Sequence, residues 1–172
     1  MLRSFLLLLN AVFFFGSVSA QTELNVYRFE QLDSLRSIED RPVVVFLNTD
    51  WCRYCRKMEN VTFQDEWIAT TLNEHCYFVN QNAEQPEPIT YRGKTFNFRP
   101  TGNNTGVHEL AEILVLTGNS EEPATITEGN VAKLSFPTTV ILGPGDERIF
   151  LHKGYLGRRE MRAVLESLLD LH

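Results

Sequence analysis

The sequence predicts an α/β domain with a central mixed sheet and helices on both faces. Three observations carry this. Val43-Val44-Val45-Phe46-Leu47 is an unbroken β-branched and aromatic run, the pattern of a strand buried on both sides. Near the C-terminus, Thr138 to Leu142 and Arg148 to His152 flank Gly143-Pro144-Gly145-Asp146, a connection so short that it implies an antiparallel hairpin. Helical patterns surround these strands. The clearest is the last, where Met161, Val164, Leu165, Leu168 and Leu169 fall at i, i+3, i+4, i+7 and i+8.

The first 20 residues stand outside this plan. Arg3 carries a positive charge, Phe5 to Phe15 is almost continuously apolar, and Gly16 to Ala20 offers small residues. That is the pattern of a secretory signal peptide over 1–20, cut after Ala20. The apolar run falls short of the roughly 20 residues a membrane span needs. No Cys follows the cut, so no lipid anchor is expected there. The mature domain is expected over 21–172, periplasmic or secreted, with no stable membrane anchor after cleavage.

Taken in order, Glu30 to Glu39 reads as a helix with Leu32, Leu35 and Ile38 on one side, ended by Asp40-Arg41-Pro42. The strand of Val43 to Leu47 leads through Asn48-Thr49-Asp50 to a helix from near Cys52 to about Asn60. Another helix is expected from Asp65 to Asn73, then a short strand from Cys76 to Val79. Ile89-Thr90-Tyr91 and Thr95-Phe96-Asn97-Phe98 flank Arg92-Gly93-Lys94, a hairpin pattern. Pro100 to Gly106 reads as a polar loop, Val107 to Thr117 as a helix, and Gly118 to Gly129 as loop. After the closing hairpin, Gly154 and Gly157 bracket a bend before the last helix, Arg158 to Leu171.

The chain has 172 residues and a formal net charge of -6, with no cluster of Lys and Arg, which argues against a nucleic-acid partner. It has three cysteines, Cys52, Cys55 and Cys76. Export places them in an oxidising compartment, yet an odd count with two only three apart is a poor scaffold and a sensible redox site.

Cys52 and Cys55 lie at i and i+3, on one face of a helix's first turn, within reach of a disulfide. At a helix N-terminus the free N–H groups and the dipole favour an anion, so the Cys52 thiolate is stabilised. Arg53 adds positive charge. Cys52 is then the attacking thiol and Cys55, one turn in, the resolving one. A purely structural disulfide closing so small a loop would gain little. Zinc normally takes four ligands, and His75 and Cys76 lack the spacing of a second pair. Haem attachment needs His after the second Cys, where this chain has Arg56. No metal or other cofactor is expected.

The segment Val43 to Glu59, with Asp50-Trp51-Cys52-Arg53-Tyr54-Cys55 and Lys57-Met58-Glu59, resembles the thioredoxin superfamily. It is most similar to the exported branch that includes the C-terminal domain of the bacterial transmembrane thiol reductant transporter. Ser135-Phe136-Pro137-Thr138-Thr139 resembles the superfamily's cis-proline loop, and Gly154-Tyr155-Leu156-Gly157 its last bend. The resemblance implies a thioredoxin-like fold with an insertion at about 83–131, before the cis-Pro loop. It implies a cis Pro137, with the backbone of Phe136 open to an extended substrate. Trp51 packing over the dithiol and Tyr54 lining the groove are expected with it. The superfamily commonly buries an acid in the central strand behind the second cysteine. Here that position is Phe46. Glu59, four residues after Cys55, offers an alternative proton acceptor, or else a solvated helix-end charge.

The function expected is a thiol–disulfide oxidoreductase acting on extracytoplasmic protein disulfides, as a reductase fed by a membrane electron donor. Two other readings stand beside it: a partner-binding module with a non-essential dithiol, and a chaperone for a soft ion such as Cu(I). Cys76 reads as an inert buried thiol and His108 as structural.

Overall fold

The computed structural model describes residues 22–103, 105–116 and 134–170. The expected leader, with its cut after Ala20, and the loop expected over Gly118 to Gly129 lie outside the described residues, as does the end of the helix expected to reach Thr117.

The sheet has four strands: β1 (Val43–Asn48), β2 (Tyr77–Asn82), β7 (Thr138–Leu142) and β8 (Arg148–Lys153), in the order β2-β1-β7-β8. Strand β1 runs parallel to β2 and antiparallel to β7, and β7 is antiparallel to β8. The sheet is thus mixed, as its sequence predicts. Tyr27 adds one parallel bridge, to Val79 on the outer side of β2.

All six residues of β1 are buried because each face of the sheet is covered. Side chains alternate along a strand. Val43, Val45 and Leu47 enter a core with Phe29 and Leu32 of α1 (Phe29–Ile38) and Leu110, Ala111 and Leu114 of α4 (Glu109–Leu116). Val44 and Phe46 enter the opposite core. There they meet the helices α2 (Arg53–Lys57), α3 (Glu66–His75) and α5 (Arg158–Leu169), through Cys55, Ile68, Leu72, Met161 and Leu165. The two cysteines of the motif belong to this second core.

Several boundaries differ from those the sequence suggests. In α1 the sheet-facing positions are Phe29, Leu32 and Arg36, and Ile38 is exposed. Of the expected stripe, Leu32 and Leu35 pack on the core and only Ile38 departs, while Arg36 is buried with its guanidinium bonded to Asp40, Asp146 and the Gly143 carbonyl. The helix expected from Cys52 to Asn60 runs on as a π-helical turn over Met58–Thr62. Cys76 caps the end of α3, and the strand starts at Tyr77 and reaches Asn82.

The inserted region holds two hairpins. Strands β3 (Ile89–Tyr91) and β4 (Lys94–Phe96) pair across Arg92-Gly93, both at positive φ, a two-residue turn that takes Lys94 into the strand. The segment expected as a polar loop is mostly strand: β5 (Phe98–Gly102) pairs with β6 (Thr105–His108), with a register shift between Pro100 and Gly102. Gly106 has a steric role here, since a Cβ at that position would lie 2.1 Å from the Phe98 ring. The hairpin is fastened to α4 by an ion pair between Arg99 and the fully buried Glu112. Helix α4 therefore starts at Glu109 and not at Val107. His108 is fully buried, its Nδ1 accepting the Leu110 N–H, a structural placement.

Candidate functional site

Strand β1 ends at Asn48, and the turn Thr49-Asp50-Trp51 delivers Cys52 to the start of α2. Cys52 is the N-cap of that helix, with extended backbone, and its Sγ accepts the Cys55 N–H at 3.1 Å. A sulfur takes the role that a Ser or Asp oxygen more often plays. The two cysteines are joined, with Cα atoms 5.2 Å apart. Cys52 is 4 % and Cys55 1 % exposed, so the pair sits at the rim of the core with Cys52 outermost.

Around the disulfide lies an aromatic surface. Trp51 and Tyr54 are the most exposed aromatic side chains of the described residues, at 63 % and 62 %. The Trp51 ring meets Phe136 edge-on at 6.0 Å, and its Nε1 donates to Glu84 at 3.0 Å. On the other side Tyr54 lies 6.2 Å from Tyr155, whose ring carries the Lys57 ammonium at 4.8 Å. The Phe136–Pro137 peptide is cis, and the Pro137 carbonyl accepts the Gly154 N–H at 2.8 Å. This ties the proline loop to the bend that holds Tyr155. That bend is pinned in turn beneath the helix, because the Leu156 carbonyl accepts from the Thr62 hydroxyl at 2.8 Å.

The structure brings Cys52, Cys55, Trp51, Tyr54, Phe136 and Pro137 to one end of the sheet. Glu59 stands on the π-helical turn. It is half-buried, and its Oε1 accepts from Asn80 Nδ2 at 3.1 Å. The Asn80 Oδ1 accepts from Asn48 Nδ2. Phe46 packs edge-on against Phe63 at 5.0 Å, so the position behind the dithiol is apolar.

Sequence reading passes over the residues that frame the loop: Asn48, Asp50, Asn80, Asn82 and Glu84. Asn82 Nδ2 donates to Asp50 at 3.0 Å, and its Oδ1 accepts the Glu84 N–H at 2.9 Å. The Ala83 N–H donates to the Asn48 carbonyl at 2.9 Å. The one sequence signal of this web is the Asn that closes an otherwise apolar strand. Its partners lie more than 30 residues away and form no motif.

A dithiol so placed can accept or donate two electrons by thiol–disulfide exchange. The comparisons agree with that chemistry. A family model for a thioredoxin-like domain matches residues 30–169. A 65-residue stretch is 32 % identical to the thiol:disulfide interchange protein DsbD of Yersinia enterocolitica, covering 34 % of this chain and 11 % of that protein. The chain thus matches only about a tenth of that relative's length. Among solved structures, a thioredoxin from Thermus thermophilus superposes with TM-score 0.55 at 19 % identity, over 85 % of this chain and 87 % of that one. A DsbH oxidoreductase gives TM-score 0.55 at 18 % identity, over 91 % and 96 %. At those identities the structures establish the fold. With the family match spanning the sheet and its helices and the cysteine pair in place, the chain belongs to the thioredoxin-like domain family.

Proposed function

We propose that this protein reduces disulfides of proteins outside the cytoplasm, and that a membrane partner returns electrons to its dithiol. Cys52 attacks a substrate disulfide and Cys55 resolves the mixed disulfide, its proton taken by Glu59. Trp51, Tyr54, Phe136 and Pro137 form the surface that receives the substrate. The observation that carries this reading is Cys52 at the N-cap of α2, with Cys55 one turn further in. The free N–H groups of a helix start favour a thiolate. Both cysteines are buried, and Cys52 is the outer of the two, which supports it as the attacking sulfur.

The leader pattern of residues 1–20 supports action outside the cytoplasm. The local similarity to DsbD, a thiol:disulfide interchange protein, supports exchange chemistry at the dithiol, whose direction is set by its reduction potential. Among the described residues no helix is long and apolar enough to cross a membrane, so the electron donor is proposed as a separate protein.

Two measurements test the proposal. Cys52→Ser should abolish reduction of a protein disulfide, whereas a binding module would keep its function. The Cys52/Cys55 pair should have a reduction potential near thioredoxin's, about −270 mV, and a value near −120 mV would identify an oxidant instead.

A further inference from the structure

Phe46 occupies the strand position where an acid is expected, and its Cα partner across the parallel pairing is Asn80. Residues in register on neighbouring strands share a sheet face. Val44 and Phe46 on β1, with Phe78 on β2, all belong to the core on the α2 side. By the two-residue alternation, Asn48 and Asn80 continue that face beyond the apolar part. Polarity missing at position 46 thus reappears one strand over and one pleat along, under the π-helical turn that carries Glu59.

The hydrogen bonds here have a direction. A carboxylate only accepts, so Asn80 must turn its Nδ2 to Glu59. That leaves its Oδ1 facing β1, where Asn48 Nδ2 donates to it. Asn48 is itself nearly buried, and its backbone carbonyl is held by the Ala83 N–H. Asn80 is exposed, so its amide is oriented by these two side-chain bonds, and the last donor of the chain points at Glu59.

We infer that Asn80 is a positioning residue for Glu59: the Asn48–Asn80 pair holds the carboxylate where it receives the Cys55 proton. This rests on the proposed role of Glu59. In the resolving step the proton leaves Cys55 Sγ for the Glu59 carboxylate. The Cys55 thiolate attacks Cys52 Sγ, and the Cys52–Cys55 bond forms as the bond from Cys52 to the substrate sulfur breaks. The electron pair of that bond leaves with the substrate as thiolate. The protein dithiol is oxidised and the substrate disulfide reduced.

The experiment separates the two halves of the exchange. Reduced full-length protein is mixed with 5,5′-dithiobis(2-nitrobenzoate) in a stopped-flow instrument. One thionitrobenzoate is released when Cys52 attacks and a second when Cys55 resolves. Glu59→Gln should slow the second release by about a hundredfold, the low end of what a general base supplies. Asn80→Leu should slow the second release roughly tenfold, a fraction of that supply, and leave the first unchanged. Asn80→Asp, which keeps the shape but loses the donor, should do the same, and Asn80→Gln should restore most of the rate. Asn80→Leu combined with Glu59→Gln should be no slower than Glu59→Gln alone, because both act through one carboxylate. Equal slowing of both releases by the Leu and Asp variants would show a merely structural Asn80 and overturn the inference. A normal second release in those variants, with Glu59→Gln slow, would overturn it too while leaving the role of Glu59 intact. A normal second release in Glu59→Gln would remove Glu59 from the mechanism, and Asn80 with it.

Discussion

Cys76 shows what the protein does to a thiol it does not use. It caps α3 with 1 % exposure, and burial pushes its thiol up to about 12, against a weaker opposing pull from Arg41. At pH 8 it is therefore neutral and shielded, and the thiolate is the reactive form. Iodoacetamide on the reduced, folded protein should label Cys52 first and leave Cys76 unmodified until denaturant is added, as peptide mass spectrometry would show. Early labelling of Cys76 would contradict its burial. Its burial was legible from a lone cysteine at a strand start, and the Cys52–Cys55 pair from a spacing of three, because both rest on local sequence. Asn80 and Glu84 were not legible. Each acts through a side chain more than 20 residues away, to Glu59 and Trp51 respectively.

Among the elements, α3 depends on its N-cap, Asp65. Asp65 accepts the Ile68 N–H at 3.2 Å as N-cap and takes two bonds of 2.9 Å from Arg162 of α5. Burial alone would raise its pKa, but that N–H and the Arg162 and Arg158 charges outweigh it and hold the carboxyl below its usual range. A lowered folded pKa means stability present above the unfolded value and lost as pH falls through the folded one. Asp65→Ala should cost about 1 kcal/mol at pH 7, as a lost cap does. The cost should shrink as pH falls below about 4, where aspartate begins to protonate. Urea unfolding across pH 2–7 checks this, and a cost independent of pH would refute the electrostatic part. The inserted hairpins divide on the same line of local against distant. The turn of β3–β4 was legible because Arg92-Gly93-Lys94, with its glycine, separates two strand-like runs. Strands β5 and β6 were not, since Pro100, Gly102 and Gly106 read as strand breakers. They are held by Arg99 reaching Glu112, by Asn97 N–H donating to Glu109 at 2.8 Å, and by the approach that Gly106 permits.

At the scale of the whole molecule, Asp146 joins three parts of the chain. In the β7–β8 turn, at φ 64°, its carboxylate accepts from Arg36 of α1, from the Tyr91 hydroxyl of β3 at 2.5 Å and from Arg92 at 2.5 Å. Burial, reinforced by that hydrogen bond, raises the Tyr91 pKa, so the hydroxyl stays a donor at every ordinary pH. Asp146→Asn tolerates the same backbone conformation but removes one of the two carboxylates that pair nearly buried Arg36. It should cost about 2 kcal/mol, the scale of a hydrogen bond to a charged group. Hydrogen exchange should quicken in both α1 and the β3–β4 hairpin, and exchange confined to the turn would argue against a shared anchor.

The mixed sheet, the strand buried on both faces, the last amphipathic helix and the dithiol at a helix start could all be read from the chain alone. Each is written in neighbours along the chain: a continuous apolar run, a period of 3.6, a spacing of three. Tertiary structure alone decided which residues surround that dithiol. The loop that presents Cys52 is held from β2 and the first residues of the insertion, by Asn80, Asn82, Ala83 and Glu84. The aromatic surface joins Trp51 to Phe136 and Tyr54 to Tyr155 across some 85 to 100 residues of chain. Such contacts exist only once the parallel pairing of β1 with β2 and the β7–β8 hairpin have brought those ends together, and no periodicity along the chain encodes them.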